Sequence, residues 1–148
     1  MKNSIFDFGN FICGKEKTPN LFDTDIVVFF LRNKKGIAER LAKLSSKELY
    51  VSEVTVAELE YGNQCSGRYA ENSELVKKFL SMVNVIPFSV SIRRYASERY
   101  RLRSKGTPIA DFDLLIGCAA AEKDLVMVTN NVAHFSRIEG INIENWVD

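Results

Sequence analysis

Short apolar runs recur along this chain, each followed by a stretch with helical spacing, and that alternation constrains the fold more than any other feature. The segments 20–23 (NLFD), 49–52 (LYVS), 83–88 (VNVIPF) and 124–129 (DLVMVT) read as strands, the last most clearly. Helices are expected after Asp25, over 36–45, 55–62, 74–82, 89–106 and 111–123, with Gly106 ending the fifth and Pro108 preceding the sixth. Residues 63–73 are polar and turn-rich, 130–135 (NNVAHF) is a capped turn with a short helix, and INIENW closes the chain. Strands that alternate with helices pair in parallel, so the pattern predicts a parallel sheet in an α/β sandwich. Residues 1–19 lack periodicity and end in KTPN, which reads as an N-terminal extension or arm; 20–148 is expected to be one domain with one substantial core.

In such a sheet, ligands bind beyond the carboxyl ends of the strands. Asp23 and the Thr129–Asn131 turn both fall at that edge. Three acids sit where an apolar element meets a turn: Asp23 in LFDTDIVVFFL, Glu58 in VSEVTVAELEYG and Asp113 in PIADFDLLIGCAAA. Hard divalent cations bind where such acids converge. Each acid also has a purely structural reading. Asp25 can cap the helix that follows it, Thr55 and Glu58 have capping-box spacing, and Asp111 can cap a helix that Asp113 then favours through the macrodipole. Asp23 is explained less well as a cap, since Asp25 is available for that. Gly62 and Gly117 stand four residues after Glu58 and Asp113, which is expected to leave room on each helix face for an ion, its waters or a phosphate. Phe112, Leu115, Ile116 and Ala119 form the expected core stripe, turning Asp113 elsewhere.

Composition removes several alternatives. Net charge is +1, so any nucleic-acid partner has to be recognised by a local patch. Cys13, Cys65 and Cys118 form no CxxC pair and His134 is the one histidine, which argues against a disulfide framework or a Cys/His zinc site and for a reducing cytoplasm. Cys118, inside LLIGCAAA, reads as a small buried hydrophobe. No apolar run approaches the roughly 18 residues that span a membrane. A local basic patch does exist: Arg93, Arg94, Arg99, Arg101, Arg103 and Lys105 share one helix and its end with Tyr95 and Tyr100. That mixture suits phosphate and base contacts, and equally a solvated face with i, i+4 pairs.

The ordered set LFDTDIVVFFLRN, VTVAELEYG, GTPIADFDLLIGCAAA and LVMVTNNVAHFSRIEGINIENW resembles a PIN domain of the VapC toxin type over residues 20–148. The resemblance implies a three-layer sandwich with a central, mostly parallel sheet of four to five strands flanked by helices. It implies that Asp23, Glu58 and Asp113 hold Mg2+ or Mn2+. It also implies an endoribonuclease acting on structured RNA such as tRNA, leaving 5′-phosphate and 3′-hydroxyl ends, silenced by a cognate antitoxin and assembled as a homodimer. Clustered carboxylates raise one another's pKa values unless a cation compensates, which is the physical reason to expect the ion.

Two departures stand out. Asp25 occupies a position that is commonly asparagine. The fourth acidic position, after the last long strand, offers Asn131 and His134 instead: Asn131 can bind an ion or its water through its carbonyl, and His134 can meet a phosphate or shuttle a proton. Arg99 and Arg103, with His134, are the expected RNA contacts. Two other readings remain open: a degenerate PIN domain that binds RNA or a partner without cutting, and a haloacid-dehalogenase-type phosphatase. In the latter, DTDIVV would supply Asp23 as nucleophile and Asp25 as acid/base, although the late acid pair and room for a cap domain are missing.

Overall fold

The computed structural model describes residues 18–147. The expected arm over 1–19 lies almost wholly outside them.

Five short strands form one sheet: β1 (Asn20–Phe22), β2 (Leu49–Ser52), β3 (Asn84–Ile86), β4 (Val126–Val128) and β5 (Asn142–Glu144). Their order is β3-β2-β1-β4-β5, and every neighbouring pair is parallel. Among the described residues seven α-helices complete the fold: α1 (Thr24–Leu31), α2 (Ile37–Leu41), α3 (Glu53–Cys65), α4 (Tyr69–Leu80), α5 (Ile92–Ser104), α6 (Asp111–Glu122) and α7 (Val132–Phe135). The predicted three-layer sandwich with a parallel sheet is the architecture found.

Alternation along the strands explains the layers. In β1, Leu21 and Phe22 point to opposite faces, and Leu21 aligns with Met127 while Phe22 aligns with Val128. Leu21 and Met127 belong to a core shared with Leu102 of α5, Leu114–Ala121 of α6 and Phe135 of α7. Phe22, Val51 and Val128 belong to the other core, with Ile26 and Val27 of α1, Ile37 of α2, Leu59 of α3, and Val76 and Phe79 of α4. The inner strands are buried on both faces and so read as near-continuous apolar runs, whereas the edge strands β3 and β5 are mostly exposed.

The order of the strands decides where the site can lie. From β1 the chain adds β2 and β3 on one side and later β4 and β5 on the other, so β1 and β4 flank the point where the winding reverses. The carboxyl ends of those two strands open the crevice in which such sheets bind ligands.

Several boundaries differ from expectation. Strand β1 stops at Phe22, and Asp23 is the N-cap of a helix that begins at Thr24, so Asp25 lies in the first turn and is not the cap. Helix α2 is five residues long, and the expected strands over 83–88 and 124–129 shorten to three residues each. Helix α4 starts at Tyr69, inside the segment expected to be turns, because a solvated helical turn is as polar as a loop and only Val76 and Phe79 are buried. A 3-10 turn over Phe88–Ser91 takes the start of the expected 89–106 helix. Asn142–Glu144, assigned no element from sequence, forms the edge strand.

Candidate active site

Asp23 is the first residue beyond β1 and is 5% exposed. Its backbone N–H still donates to Val128 O at 2.9 Å, which holds it against the end of β4. One carboxylate oxygen, Oδ1, accepts from the Thr24 amide at 2.8 Å, and the other, Oδ2, accepts from the Thr129 hydroxyl at 2.8 Å. The acid thus caps α1 and is also fixed from the adjacent strand, so capping does not remove it from the candidate site. The sequence argument that set Asp23 apart from the capping role is corrected here: Asp23 performs it.

Electrostatically this carboxylate is unfavourable as it stands. Burial pushes its pKa up from 3.8 to about 7; the Thr129 hydrogen bond opposes the shift, and the charges of Asp113 and Asp25 add to it. Asp113, half-buried in the first turn of α6, is also raised, first by burial and then by Asp25, while His134 pulls it down. Asp23, Asp25 and Asp113 therefore share one region of field although they come from two segments far apart in sequence. A cation would relieve that field.

Glu58 approaches from α3. The capping-box reading is wrong: α3 is capped by Ser52, whose hydroxyl accepts from Val54 N at 3.0 Å, and Thr55 lies inside the helix. Glu58 instead accepts from the Thr24 hydroxyl at 2.6 Å, across 34 residues of sequence. Thr24 thereby binds both acids, Asp23 through its amide and Glu58 through its hydroxyl. Among the described residues no three His, Cys, Asp or Glu side chains stand close enough together to enclose an ion. The donor set that fits one is smaller, a pair of electrostatically coupled carboxylates, Asp23 and Asp113, with Glu58 held beside Asp23 by Thr24. That suits Mg2+, which commonly keeps several waters and takes one or two protein carboxylates.

Asn131 and His134 sit on the β4 side. The Asn131 amide nitrogen of the backbone donates to the Thr129 hydroxyl oxygen at 2.9 Å, continuing the line that starts at Asp23. Its side-chain nitrogen stands 2.9 Å from His134 Nδ1; an amide NH2 only donates, so Nδ1 is the acceptor in this contact and Nε2 is left free of it. Asn131 is thus engaged as a brace for His134, and His134 lies within the field of Asp113.

The two small residues do different things. A Cβ on Gly62 would meet nothing within 4 Å, and Gly62 lines a cleft of about 180 Å³ with Thr24, Arg32 and Glu58. A Cβ on Gly117 would fall 2.3 Å from Ile138 Cδ1 and 3.0 Å from Phe135 Cδ1. Gly117 therefore admits the core, not an ion, and the expectation of open space there is overturned. Phe112 is 52% exposed, whereas Leu114–Ala121 are all buried, so the core stripe of α6 begins two residues later than expected.

The basic helix α5 is partly spent on structure. Arg101 makes a two-pronged pair with buried Glu98 at 2.8 and 2.7 Å, and Arg94 pairs with Glu122 at 3.0 Å. Arg99 stands 3.2 Å from Asp111, which also accepts from Tyr95 OH at 3.0 Å. Among the described residues Arg103 makes no ion pair within 4.0 Å, and Arg99 and Arg103 together line a cleft of about 270 Å³ with Pro108, Ile109, Ala110 and Asp111. That cleft adjoins the turn bearing Asp113. Sequence reasoning gave Thr24 and the Thr129 hydroxyl no role, although Thr24 directly follows the strand-end acid and Thr129 directly follows β4.

A PIN domain model matches residues 21–141. The chain is 32% identical over 127 residues to the tRNA(fMet)-specific endonuclease VapC of Salmonella typhimurium, covering 85% of this chain and 96% of that one. It is 33% identical over 129 residues to ribonuclease VapC2 of Rickettsia felis, again covering 85% and 96%. Among solved structures, DNA-bound VapBC from Salmonella typhimurium superposes with a TM-score of 0.81 at 32% identity, covering 88% of this chain and 99% of that one. The family model spans most of the described residues and these VapC relatives are covered over nearly their whole length, so this chain is a member of the PIN-domain family, in its VapC group.

Proposed function

We propose that this chain is a metal-dependent endoribonuclease, the toxin of a toxin–antitoxin pair, hydrolysing phosphodiester bonds in structured RNA with tRNA the first candidate. The observation that carries the reading is Asp23, a buried carboxylate oriented through both oxygens yet pushed to about 7 beside Asp113. Besides capping α1, Asp23 shares a repulsive field with Asp113, and a bound positive charge would relieve it. The names of the relatives support the ribonuclease chemistry, and the VapBC neighbour supports an antitoxin as partner. Family membership sets aside the phosphatase reading. Placement in the cytoplasm and a homodimer remain part of the proposal; among the described residues no helix is long and apolar enough to cross a membrane.

Asp23 and Asp113 would hold Mg2+ or Mn2+, with Glu58 contributing directly or through a water. When bound, such an ion supplies Lewis acidity toward the phosphodiester and acidifies water at the site. Asp23 is positioned for this by Thr24 and Thr129, so neither oxygen has to reorient. His134, with Nδ1 engaged by Asn131, keeps Nε2 available to hold or pass a proton near a phosphate. Arg99 and Arg103 bind the RNA backbone beside the α6 turn.

The test is cleavage of total tRNA and a structured RNA by antitoxin-free protein in Mn2+, Mg2+ or excess chelator, beside Asp113→Asn prepared identically. Discrete fragments that require the ion and vanish in the variant are expected. Equal fragments from both preparations refute the site, and tight RNA binding without cleavage in any condition replaces it with a degenerate binding domain.

A further inference from the structure

Thr55 is fully buried beside the site, at 0% exposure in the first turn of α3, and the capping role its spacing suggested is not what it does. Its hydroxyl oxygen lies 2.9 Å from the Thr24 hydroxyl oxygen on α1. The Thr24 hydroxyl has one proton, and that proton goes to Glu58 Oε1 at 2.6 Å. Thr24 must therefore accept from Thr55, so the hydroxyls run in one direction, from Thr55 through Thr24 to the Glu58 carboxylate. A helical threonine ordinarily turns its hydroxyl back to its own helix; this one is directed into the neighbouring helix.

We propose that Thr55 is a positioning residue for Glu58, acting through Thr24 to fix the carboxylate and present its second oxygen, Oε2, to a divalent cation. Thr24 alone could rotate its hydroxyl away, because a threonine side chain has more than one staggered state. The Thr55 donor holds it in the state that faces Glu58, and consecutive hydrogen bonds in one direction polarise and strengthen one another. Residues that orient a ligand in this way are part of a cation site even though they never touch the ion. The inference deepens the metal-dependent reading above and rests on it for the identity of the ion, though not for the orientation of Glu58.

The experiment uses the full chain and Mn2+ alone as probe. Thr55→Val keeps shape and removes the donor; Thr55→Ser restores the donor with less packing. Calorimetric titration should show the Mn2+ dissociation constant rising roughly tenfold in Thr55→Val and returning to within about twofold of the parent in Thr55→Ser. Unchanged affinity in Thr55→Val overturns the proposal, and so does an equal loss in Thr55→Ser, which would make packing the cause. A second readout does not need the ion: the NMR signal of the Glu58 side-chain carboxyl carbon, assigned by its absence in Glu58→Gln, should move in Thr55→Val and return in Thr55→Ser. A parent protein with no affinity for Mn2+ refutes the metal reading, and the Glu58 signal then decides the positioning alone: unmoved in Thr55→Val, it overturns that too.

Discussion

Replacing Asp23 by asparagine should flatten the pH dependence of folding stability, and the structure sets the size of the change. In metal-free protein the folded-state value is about 7 against an ordinary 3.8, so the contribution to stability is fully present below 3.8 and lost as pH rises through about 7. At roughly 1.4 kcal/mol per pH unit, the whole loss is on the order of 4 kcal/mol, with roughly 3 kcal/mol of it between pH 5 and pH 8. Asparagine keeps the acceptor for the Thr24 amide, but its NH2 faces a Thr129 hydroxyl that loses its own acceptor. That mismatch costs stability equally at every pH, so the slope, and not the offset, tests the reasoning. Urea unfolding in chelator at pH 5 and pH 8 should show the variant gaining on the parent by roughly 3 kcal/mol between the two. At pH 8, Mn2+ should then stabilise the parent and leave the variant unmoved. Parallel pH profiles for the two proteins would refute the claim that Asp23 is a strained, uncompensated charge.

Other substitutions probe separate parts of the argument. Thr129→Val removes the donor to Asp23 and the acceptor for Asn131 N, and should cost about 1–3 kcal/mol in thermal unfolding while lowering cleavage. Gly117→Ala should destabilise by about 1–3 kcal/mol through the clash with Ile138 and Phe135, and the same change should cost less when made in an Ile138→Ala background, measured by denaturant midpoints as a double-mutant cycle. Arg103→Ala should weaken RNA binding evenly across sequences and reduce the salt slope of binding by about one, while Mn2+ affinity stays unchanged, as read by fluorescence anisotropy and calorimetry.

Local chemistry made part of this protein legible from its residues. The alternation of apolar runs with helical spacing predicted a parallel α/β sandwich because strands separated by helices pair in parallel. Asp23 and Asp113 could be singled out because each lies where an apolar element meets a turn, whereas Glu58, expected at such a boundary, lies inside α3. Pairing and direction were a different matter. Asp23 gave two readings, cap or candidate ligand, and the fold makes the first a fact without removing the second: the β1–β4 neighbour relation brings Thr129 to Oδ2 while Thr24 takes Oδ1.

Thr55 and Glu58 fit a capping box by spacing, yet the helix starts earlier, at Glu53, and that shift turns both side chains toward α1. Gly117 looked like room for an ion and proved to be room for Ile138 and Phe135, because which face of α6 meets the C-terminal segment is set by packing. The polar start of α4 was missed because a solvated helical turn is as polar as a loop, and the edge strand β5 because its pairing with β4 is a tertiary contact. The sequence by itself determined the strand-and-helix alternation and the identity of the acids, since periodicity and residue chemistry are local properties. Only the tertiary structure decided which hydroxyls hold those acids, since a hydrogen bond across 34 or 106 residues exists only once the sheet has brought its ends together.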